Sequence, residues 1–510
     1  MAMAKTGNCS NFGNCSVADG RTKVEVASGM DFVCTECSKP LLLTAARGDA
    51  GKSNLAIFIM VGLVLAALVA GGFVWFKAGT TSATAASGGS VLRLAGSNTI
   101  GAKLVPALAE AWLKSEGASA VQRNAGVPSN ISFQAKIADG STLTVEVAAH
   151  GTATGFERFG TGSADIVMAS RPVSPTEVAG LAKFGDLTQP ANEHVIGLDG
   201  LAVIVHSSNP VSTLNKPQLL GIFSGQISDW SQLGAAAKGK AGPITLYARD
   251  AKSGTFDTFQ ALVLGVAKLQ DTAKRFEDST QLSDAVAADP AGIGFIGLPY
   301  VKNAKALALA DKGASALLPN RFTVATEDYM LSRRLYLYSA TAPTNPAVTR
   351  FVAFAKSRAG QDIVAANGFV EQTVQAQDKA AATLGTDTPA AYFMATANAS
   401  RLSLNFRFRS GSKDLDTKAI PDLDRVLTFM TDMKMPPSNI VLLGFADARG
   451  AADANVKLSI QRAAVIADEL KQRGITPGLV TGFGAAMPVA SNDTAEGQEK
   501  NRRVEIWVKH

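Results

Sequence analysis

The stretch ITLYARDAKSGTFDTF, residues 244–259, decides the fold class of this chain. Its first part is typical of a β-strand, a turn of small and polar residues follows, and Phe256 and Phe259 then begin the apolar face of a helix. The same succession occurs at 91–112, where VLRLAGSNTI leads into apolar residues at helical spacing. Because strand and helix patterns alternate in this way from 91 to 372, we predict an α/β domain over these residues.

The turn in this stretch carries groups that suit an anion. Arg249 supplies a fixed guanidinium fork, Ser253 and Thr255 supply hydroxyls, and Gly254 lets backbone amides approach a ligand. All of them lie at the start of a helix, where the dipole favours negative charge. The set suits a tetrahedral oxyanion, and the alternative is an ordinary capped helix with a surface arginine.

The turn GSNTIG at 96–101 is a weaker signal of the same kind, because Ser and Thr at a helix start also act as simple N-caps. Catalytic patterns are missing from the sequence of this region. His150 and His206 are not accompanied by the carboxylate cluster of a two-metal site, and there is no G-x-S-x-G elbow. We therefore predict a binding domain rather than an enzyme.

Several blocks of this region, in the same order, resemble the PstS-like phosphate-binding proteins, which are type II periplasmic receptors that serve ABC importers. The most specific blocks are IGLDGLAVIVHSSNPVSTLNKPQLLGIFSGQISDWSQLG at 196–234 and the R-x3-S-G-T element that begins at Arg249. The shorter blocks are GSNTIG at 96–101, FGTGSADIVMASRPVSPTE at 159–177, AGIGFIGLPYV at 291–301 and YMLSRRLYLY at 329–338. The resemblance implies a bilobal periplasmic-binding-protein type II fold over 91–372, whose lobes close on a dehydrated phosphate.

The resemblance also implies which residues bind phosphate or a related oxyanion. The implied set is Thr99, the backbone of Ile100, Thr152, Ser170, Arg249, Ser253, Gly254 and Thr255. One position departs from the family, because Ser170 stands where those proteins have an aspartate that accepts the proton of bound phosphate, and Arg171 follows it. Phosphate is the leading ligand, with sulfate, a phosphonate or another oxyanion as the alternative. The departure is also compatible with a sensor or with a domain that no longer binds an anion.

The last part of the chain, 401–510, follows a segment at 373–400 that we predict to be a linker. Its blocks GFADARG at 444–450, NVKLSIQRA at 455–463 and NRRVEI at 501–506 resemble the OmpA-like peptidoglycan-binding domain, an α+β fold. The resemblance implies that the diaminopimelate of the wall peptide is held by Asp447, which takes its ammonium, and Arg462, which takes its carboxylate, with support from Asn455 and Arg503. Without the resemblance, Asp447 and Arg462 indicate only surface charges or an ion pair.

Helical periodicity in 401–510 predicts two helices. The first spans 417–433, and the second spans 455–473 and ends at Gly474. We expect the first to bury Ile420, Leu423, Leu427 and Met430, and the second to bury Ile460, Ala463, Ala464, Ala467 and Leu470. Strand patterns at 440–445 and 503–508 complete the α+β unit.

All four cysteines lie in the first 40 residues, at Cys9, Cys15, Cys34 and Cys37. The pairs C-x5-C and C-x2-C predict a cytoplasmic zinc ribbon over 1–50 with one structural zinc ion, because a tetrahedral all-thiolate site needs two such pairs. A reducing compartment favours metal over disulfides. The alternatives are two disulfides on an outward-facing N-terminus, or thiols that hold nothing.

A charge-free run at 55–76 is long enough to cross a bilayer as one transmembrane helix. A signal peptide is the rival interpretation, but its apolar region is shorter and starts nearer the N-terminus. Arg47 and Lys52 precede the run and Lys77 follows it, which favours a cytoplasmic N-terminus. With a flexible linker at 77–90, this predicts a single-pass inner-membrane protein whose bulk is periplasmic.

The composition limits the remaining function classes. Charged residues make up 18% of the 510 residues and hydrophobic ones 46%, which excludes a largely disordered chain. The net charge of +6 is spread along the chain without a basic block, so nucleic acid is not an expected partner. We therefore predict a membrane-anchored oxyanion receptor that also binds peptidoglycan and works with an ABC-type importer or a cytoplasmic signalling partner. The alternative is a structural tether between membrane and wall, whose receptor-like domain binds a protein or no ligand.

Overall fold

The computed structural model describes 90–125, 129–251, 253–378, 388–409 and 414–510, together with four short segments nearer the N-terminus (5–8, 23–26, 33–34 and 41–43). The chain separates into two units, Met1–Ala86 and Ser87–His510. In the first unit, three short antiparallel strands pair in the order β2-β1-β3. They are β1 Lys5–Asn8, β2 Lys23–Val26 and β3 Leu42–Leu43.

Two predictions for the N-terminal part concern residues that are mostly outside the described ones. Cys34 is buried, whereas Cys9, Cys15, Cys37 and the apolar run at 55–76 fall outside the described residues. Within the described part of the chain, no helix has the length and apolar character of a membrane span. The same residues contain no group of three or more His, Cys, Asp or Glu side chains placed to hold a metal ion.

The second unit begins with a bilobal domain, residues 90–372, built on one long mixed sheet. The strands of this domain are β4 Ser90–Gly96, β5 Gln122–Ala125, β6 Asn130–Lys136, β7 Thr142–Ala149, β8 Ile166–Ala169, β9 Glu193–Val205, β10 Thr213–Asn215, β11 Thr245–Arg249, β12 Lys274–Phe276, β13 Gly292–Gly297, β14 Lys305–Ala306, β15 Ala308–Ala310 and β16 Ser332–Tyr338. The long sheet has the order β12-β11-β13-β9-β16-β8-β4-β7-β6-β5, with β14 added beside β9, while β10 and β15 form a separate parallel pair.

Helices cover this sheet on both halves. They are α1 Asn98–Gly101, α2 Leu104–Ser115, α3 Thr152–Gly160, α4 Pro175–Gly180, α5 Lys216–Phe223, α6 Gly254–Phe259, α7 Ser279–Ala288, α8 Arg321–Ala325, α9 Pro346–Lys356 and α10 Arg358–Ala366. The antiparallel strands β9 and β16 lie in the middle of the sheet and connect its two halves. Lobe 1 contains β4 to β8 with α1 to α4, α9 and α10, and lobe 2 contains β10 to β15 with α5 to α8. The predicted bilobal α/β fold is confirmed.

Each lobe has its own apolar core, so each can move as a body around β9 and β16. In lobe 1, α2 buries Trp112 against Phe351, with ring centroids 5.4 Å apart in an edge-to-face arrangement. In lobe 2, the ring of Phe259 on α6 stacks on the ring of Phe295 with centroids 3.9 Å apart, and it packs against the ring of Phe223 with centroids 4.7 Å apart. The apolar face predicted for this helix is therefore what fixes α6 to its lobe.

The C-terminal domain, residues 376–510, has a five-stranded sheet in the order β17-β18-β21-β19-β20. Its strands are β17 Ala376–Asp378, β18 Ala399–Arg407, β19 Ile440–Gly444, β20 Leu479–Gly482 and β21 Arg503–Lys509. Its helices are α11 Ala390–Ala395, α12 Ala419–Asp432, α13 Ala452–Gln472 and α14 Ala495–Asn501. Part of the segment predicted as a linker, 373–400, thus belongs to this domain, because β17 pairs with β18 and α11 follows it.

The inward faces of the two long helices differ from the sequence prediction. On α12, Ile420 and Leu427 are each 37% exposed, and the helix instead turns Val426 inward beside Leu423 and Met430. The rotation follows from Asp422, whose carboxylate is buried and accepts a hydrogen bond from Lys418 at 2.6 Å. On α13, a similar shift leaves Ile460 40% exposed and Ala464 half-buried, and Ile466 is buried instead.

A buried histidine makes lobe 1 sensitive to acid. His194 on β9 bonds to Ser339 Oγ through Nε2 at 3.1 Å, and burial, helped by the nearby Lys356, lowers the pKa of His194 to about 4. The unfolded chain therefore binds a proton at this position near pH 6.5, while the folded chain resists it until about pH 4. Folding stability is lost as the pH falls through this window.

We expect this histidine to cost about 3 kcal/mol of unfolding free energy between pH 7 and pH 4. Chemical denaturation at both pH values should show that His194→Gln, which cannot titrate but keeps a donor for Ser339, recovers most of that loss. His150→Gln, at an exposed position, serves as the matched control. An unchanged pH dependence in His194→Gln would contradict the assignment.

Candidate functional site

A cavity of about 830 Å³ lies between the two lobes. Lobe 1 contributes Thr152 and Ser170 to its wall, lobe 2 contributes Asp257, and Arg333 reaches it from the connecting strand β16. The position follows from the topology, because loops at the ends of strands in both lobes meet where β9 and β16 cross between them. The cavity is therefore the natural place for a ligand that both lobes enclose.

Arg333 is the central cation of this cavity. Its side chain is only 9% exposed, and its Nε and Nη2 donate to Asp199 Oδ2 on β9 at 3.2 and 3.0 Å. The same Nη2 donates to Thr99 Oγ1 of lobe 1 at 2.8 Å and to the Gly254 carbonyl of lobe 2 at 2.9 Å. Burial lowers the pKa of Arg333, and the neighbouring Asp199 acts in the opposite direction. One guanidinium thus joins the two lobes.

The two turns predicted to bind an anion meet beside this guanidinium. A Cβ atom added to Gly254 would lie 1.8 Å from Thr99 Oγ1, so only glycine lets α6 approach α1 this closely. Ser97 Oγ accepts the Thr99 N–H and Ser253 Oγ accepts the Thr255 N–H, each at 3.2 Å. The structure therefore brings together Thr99, Ser253, Gly254 and Thr255, but none of the four lines the cavity, and Ser97 and Ser253 act as helix caps.

Arg249 and Ile100 take structural positions. The Nε and Nη2 atoms of Arg249 donate to the carbonyls of Phe276 and Glu277 at 3.2 and 2.7 Å, and Nη1 donates to Ser279 Oγ at 2.5 Å. This follows from the parallel pairing of β11 with β12, which sets Arg249 opposite Phe276. Burial lowers the pKa of Arg249. Arg249 does not line the cavity, and the side chain of Ile100 is fully buried in the core of lobe 1.

Thr152 and Ser170 line the lobe 1 side of the cavity. Thr152 begins α3, and its Oγ1 accepts the Ser170 N–H at 3.3 Å. The next residue, Arg171, forms two 2.8 Å hydrogen bonds with the carboxylate of Glu177 and lies over the ring of Phe156. The extra positive charge expected at this position is therefore neutralised inside lobe 1.

Asp257 is a cavity residue that the sequence pattern does not predict. It lies in the first turn of α6, and its carboxylate has no hydrogen-bond or ion-pair partner among the residues that the structure describes. Asp257 is an exposed residue of the cavity wall, and partial desolvation of its carboxylate, with the nearby Asp250, raises its pKa, while Arg333 acts to lower it. The signal was present in the sequence, because Asp257 is four residues after Ser253 and so lies on the same helix face.

The sequence prediction also did not include Arg333, although the block YMLSRRLYLY at 329–338 contains a signal for it. This block is a strand with two adjacent arginines in an otherwise apolar run, and a charge in a buried strand requires a partner. The sequence does not contain the information that Asp199 is that partner, because 134 residues separate the two.

A second polar site lies at the end of β19 in the C-terminal domain. Asp447 accepts a hydrogen bond from Arg502 Nη1 at 3.0 Å and from its own loop through the Arg449 N–H, also at 3.0 Å. Arg462 of α13 lies over the ring of Phe408, and its Nη1 is buried with no hydrogen-bond partner in the part of the chain that the structure describes. Burial and the nearby Arg502 lower the pKa of Arg462 to about 10, with Asp447 opposing them. An orphaned guanidinium N–H beside a carboxylate suits a ligand that carries both charges.

The two residues expected to support this pair behave differently from one another. Asn455 is buried at the start of α13. Arg503 is a core residue, because it donates to Glu505 Oε1 at 2.8 Å and its guanidinium lies 3.9 Å from the centre of the Phe445 ring. Side chains alternate along a strand, so the neighbour Arg502 reaches Asp447 in its place.

Each of the two large domains is similar to a known family. Residues 115–359 match the model of a PBP superfamily domain, and residues 407–502 match the model of the OmpA family. Protein SphX of Synechococcus elongatus is 31% identical over 229 residues, which cover 43% of this chain and 66% of that protein. The phosphate-binding protein PstS of Pseudomonas aeruginosa is 26% identical over 257 residues, which cover 48% of this chain and 79% of that protein.

Among solved structures, an ABC-type phosphate transport receptor from Vibrio cholerae matches at 24% identity with a TM-score of 0.43, covering 55% of this chain and 99% of that one. The two matched families consist of binding proteins without catalytic activity, which confirms that the chain is not an enzyme. The two family models thus support a periplasmic-binding-protein fold in the bilobal domain and an OmpA-like C-terminal domain.

Proposed function

We propose that this protein binds phosphate or a related oxyanion between its two lobes and binds peptidoglycan through its C-terminal domain. The observation that carries the first half is Arg333, whose one guanidinium contacts Thr99 of lobe 1 and Gly254 of lobe 2. Arginine is the preferred side chain for bidentate contact with a phosphate group. The name of one relative, the phosphate-binding protein PstS of Pseudomonas aeruginosa, supports the same ligand.

The cavity contains both kinds of group that a protonated phosphate needs. Arg333 and the hydroxyls of Thr152 and Ser170 can donate hydrogen bonds to its oxygens, and the carboxylate of Asp257 can accept its proton. Sulfate has no proton at neutral pH and would meet the same carboxylate as a like charge. We therefore propose that Asp257 supplies the discrimination that Ser170 cannot.

Calorimetric titration with phosphate and with sulfate tests this assignment. We expect the unmodified protein to bind phosphate in clear preference to sulfate. In Asp257→Asn the ratio of the two affinities should shrink about tenfold or more, because a hydrogen bond to a charged group is lost for phosphate and a repulsion is lost for sulfate.

Asp284→Asn, an exposed carboxylate on α7, is the matched control and should leave the ratio unchanged. If neither phosphate nor sulfate produces a heat of binding, the receptor function is overturned. A full preference for phosphate in Asp257→Asn would overturn the role of Asp257 alone.

For the C-terminal half, the chemistry of Asp447 and Arg462 defines the ligand class. A carboxylate and a guanidinium N–H that has no partner among the described residues together fit a zwitterion, with an ammonium toward Asp447 and a carboxylate toward Arg462. The diaminopimelate of the peptidoglycan peptide has this pair of charges on one carbon atom. The match of 407–502 to the OmpA family supports this ligand.

One observation favours the alternative of a structural tether. Arg249 is the arginine that the family resemblance assigns to phosphate, but its guanidinium donates hydrogen bonds to Ser279 and to the Glu277 carbonyl at the start of α7. If the lobes bind no anion, the bilobal domain would serve as a spacer or a protein-binding module beside the wall-binding domain. The calorimetric titration decides between the two functions.

For the N-terminal part, we propose that Cys9, Cys15, Cys34 and Cys37 hold one structural zinc ion in the cytoplasm and that residues 55–76 span the inner membrane. The spacing of the cysteines and the length of the apolar run support these proposals. An ABC-type importer or a cytoplasmic signalling protein would then be the partner. Metal analysis of the purified chain should find one zinc ion per molecule, and less than one would contradict the ribbon.

A further inference from the structure

The C-terminal domain holds the short segment 326–328, which connects α8 of lobe 2 to strand β16. Arg407 of β18 donates to Glu327 Oε2 at 3.1 Å, and Arg401 of the same strand donates to Asp328 Oδ2 at 2.7 Å. Asn405, between them, donates to Asp328 Oδ1 at 2.8 Å and to the Thr326 carbonyl at the same distance. Three side chains of one strand thus bind consecutive residues of the bilobal domain.

The charges in this interface are buried and continue into β16. Arg334, directly after the cavity residue Arg333, bonds to Glu327 and also donates to Asp416 of the C-terminal domain at 2.7 Å. The side chains of Arg334, Glu327 and Arg407 are 13%, 11% and 6% exposed. Arg334 and Arg407 hold the pKa of Glu327 far below its ordinary range. Buried charges of this kind tolerate separation poorly, because each would lose its partner.

The C-terminal domain also contacts both lobes outside this segment. On lobe 1, the Thr417 hydroxyl donates to Glu193, and Arg409 donates to Gln189 Oε1 at 3.0 Å. On lobe 2, Asp493 accepts a hydrogen bond from Lys312 at 2.7 Å. Because the C-terminal domain contacts both lobes, it must move or detach when the lobes rotate apart.

The same domain supplies part of the cavity wall. Arg407, Arg409, Asp416 and Lys500 line the cavity together with Arg333. Arg409 Nε is buried without a hydrogen-bond partner among the residues that the structure describes. The docked domain therefore limits the route between the cavity and solvent.

We infer that the C-terminal domain is an intramolecular gate on the anion cavity, and that its docking and anion binding are thermodynamically coupled. The inference rests on the proposed function. While docked, the domain holds lobe 1 and lobe 2 together and walls the cavity, so that bound phosphate leaves slowly. By reciprocity, bound phosphate makes undocking less favourable. Attachment to the wall and anion exchange are then linked through residues 326–328.

The test uses the full chain with Glu327→Gln and Asp328→Asn combined, which removes the two carboxylates that Arg407 and Arg401 contact across the interface, while Arg334 keeps Asp416 and Arg401 keeps Glu505. Small-angle X-ray scattering should show a larger radius of gyration, because the domain undocks. Release of radiolabelled phosphate, measured by dilution into unlabelled phosphate, should be about tenfold faster or more. The control Asp424→Asn removes one of the two carboxylates that pair with Arg473 on the C-terminal domain and should change neither quantity.

Each outcome bears on the inference separately from the proposed function. An undocked variant that releases phosphate at the unmodified rate overturns the coupling, and a variant that stays docked overturns the role of the buried charges. If the double variant fails to fold, Asn405→Ala removes two of the interdomain hydrogen bonds without burying an unpaired charge, and the same two readouts apply. Lack of phosphate binding by the unmodified protein contradicts the proposed function, while scattering still tests the docking.

Discussion

Replacing Arg333 with glutamine is expected to weaken phosphate binding about a hundredfold or more. Hydrogen bonds to charged groups contribute about 1.5–3 kcal/mol each, and a guanidinium that contacts phosphate with two N–H groups loses both. The substitution also leaves the buried Asp199 without its cation, which places an uncompensated negative charge beside the cavity. Isothermal titration with phosphate measures the change.

Arg249→Gln is the informative comparison for this prediction. The family resemblance implies that Arg249 binds the anion, whereas we propose Arg333, which lines the cavity between the lobes. We expect Arg249→Gln to lower the melting temperature, since the start of α7 loses its ties to the carbonyls of Phe276 and Glu277, but to retain most of the phosphate affinity. The opposite ranking of the two variants would contradict the central position of Arg333.

Replacing Arg462 with alanine is expected to abolish retention on purified sacculi, and Asp447→Ala should do the same. Each substitution removes one of the two charges that face the zwitterion, and a ligand charge left unpaired in a buried site costs several kcal/mol. Co-sedimentation with sacculi, followed by competition with free diaminopimelate, measures the loss. Competition by the free amino acid would show that the wall peptide, rather than the glycan, is recognised.

Arg473→Ala is the matched control on the same domain. This arginine forms ion pairs with Asp424 and Glu469 at the other end of α13, so its loss should leave sedimentation unchanged. Undiminished binding by both Asp447→Ala and Arg462→Ala would refute the site. Loss of binding in Arg473→Ala as well would indicate a general effect on the fold rather than on the ligand.

The sequence predicts the parts of this fold that depend on local order. The succession strand, small-residue turn and helix at 244–259 gives both β11 and α6, and the spacing of Phe256 and Phe259 gives the apolar side of that helix. The same logic locates the turns of Thr99 and Gly254. It cannot show that the two turns touch, because that contact depends on how the lobes meet.

Side-chain direction accounts for most of the remaining differences. Arg249 and Arg333 are both arginines at strand positions near the cleft, but pairing with β12 sets Arg249 beside Phe276, while pairing with β9 sets Arg333 opposite Asp199. Strand register depends on two segments that are distant in sequence, so one stretch of sequence cannot show which residue each arginine faces. Arg502 and Arg503 differ for a simpler reason, since adjacent positions at a strand start point to opposite sides.

The short connection between the domains limits how far they can separate. Val370 is still bridged to Leu198 of the bilobal domain, and β17 joins the C-terminal sheet at Ala376. The five residues between them, 371–375, span at most about 20 Å when extended. An undocked C-terminal domain therefore stays at an effective concentration in the millimolar range beside its docking surface. Re-docking is an intramolecular event whose rate does not depend on protein abundance, so in the proposed mechanism each wall-bound molecule would open and reset on its own.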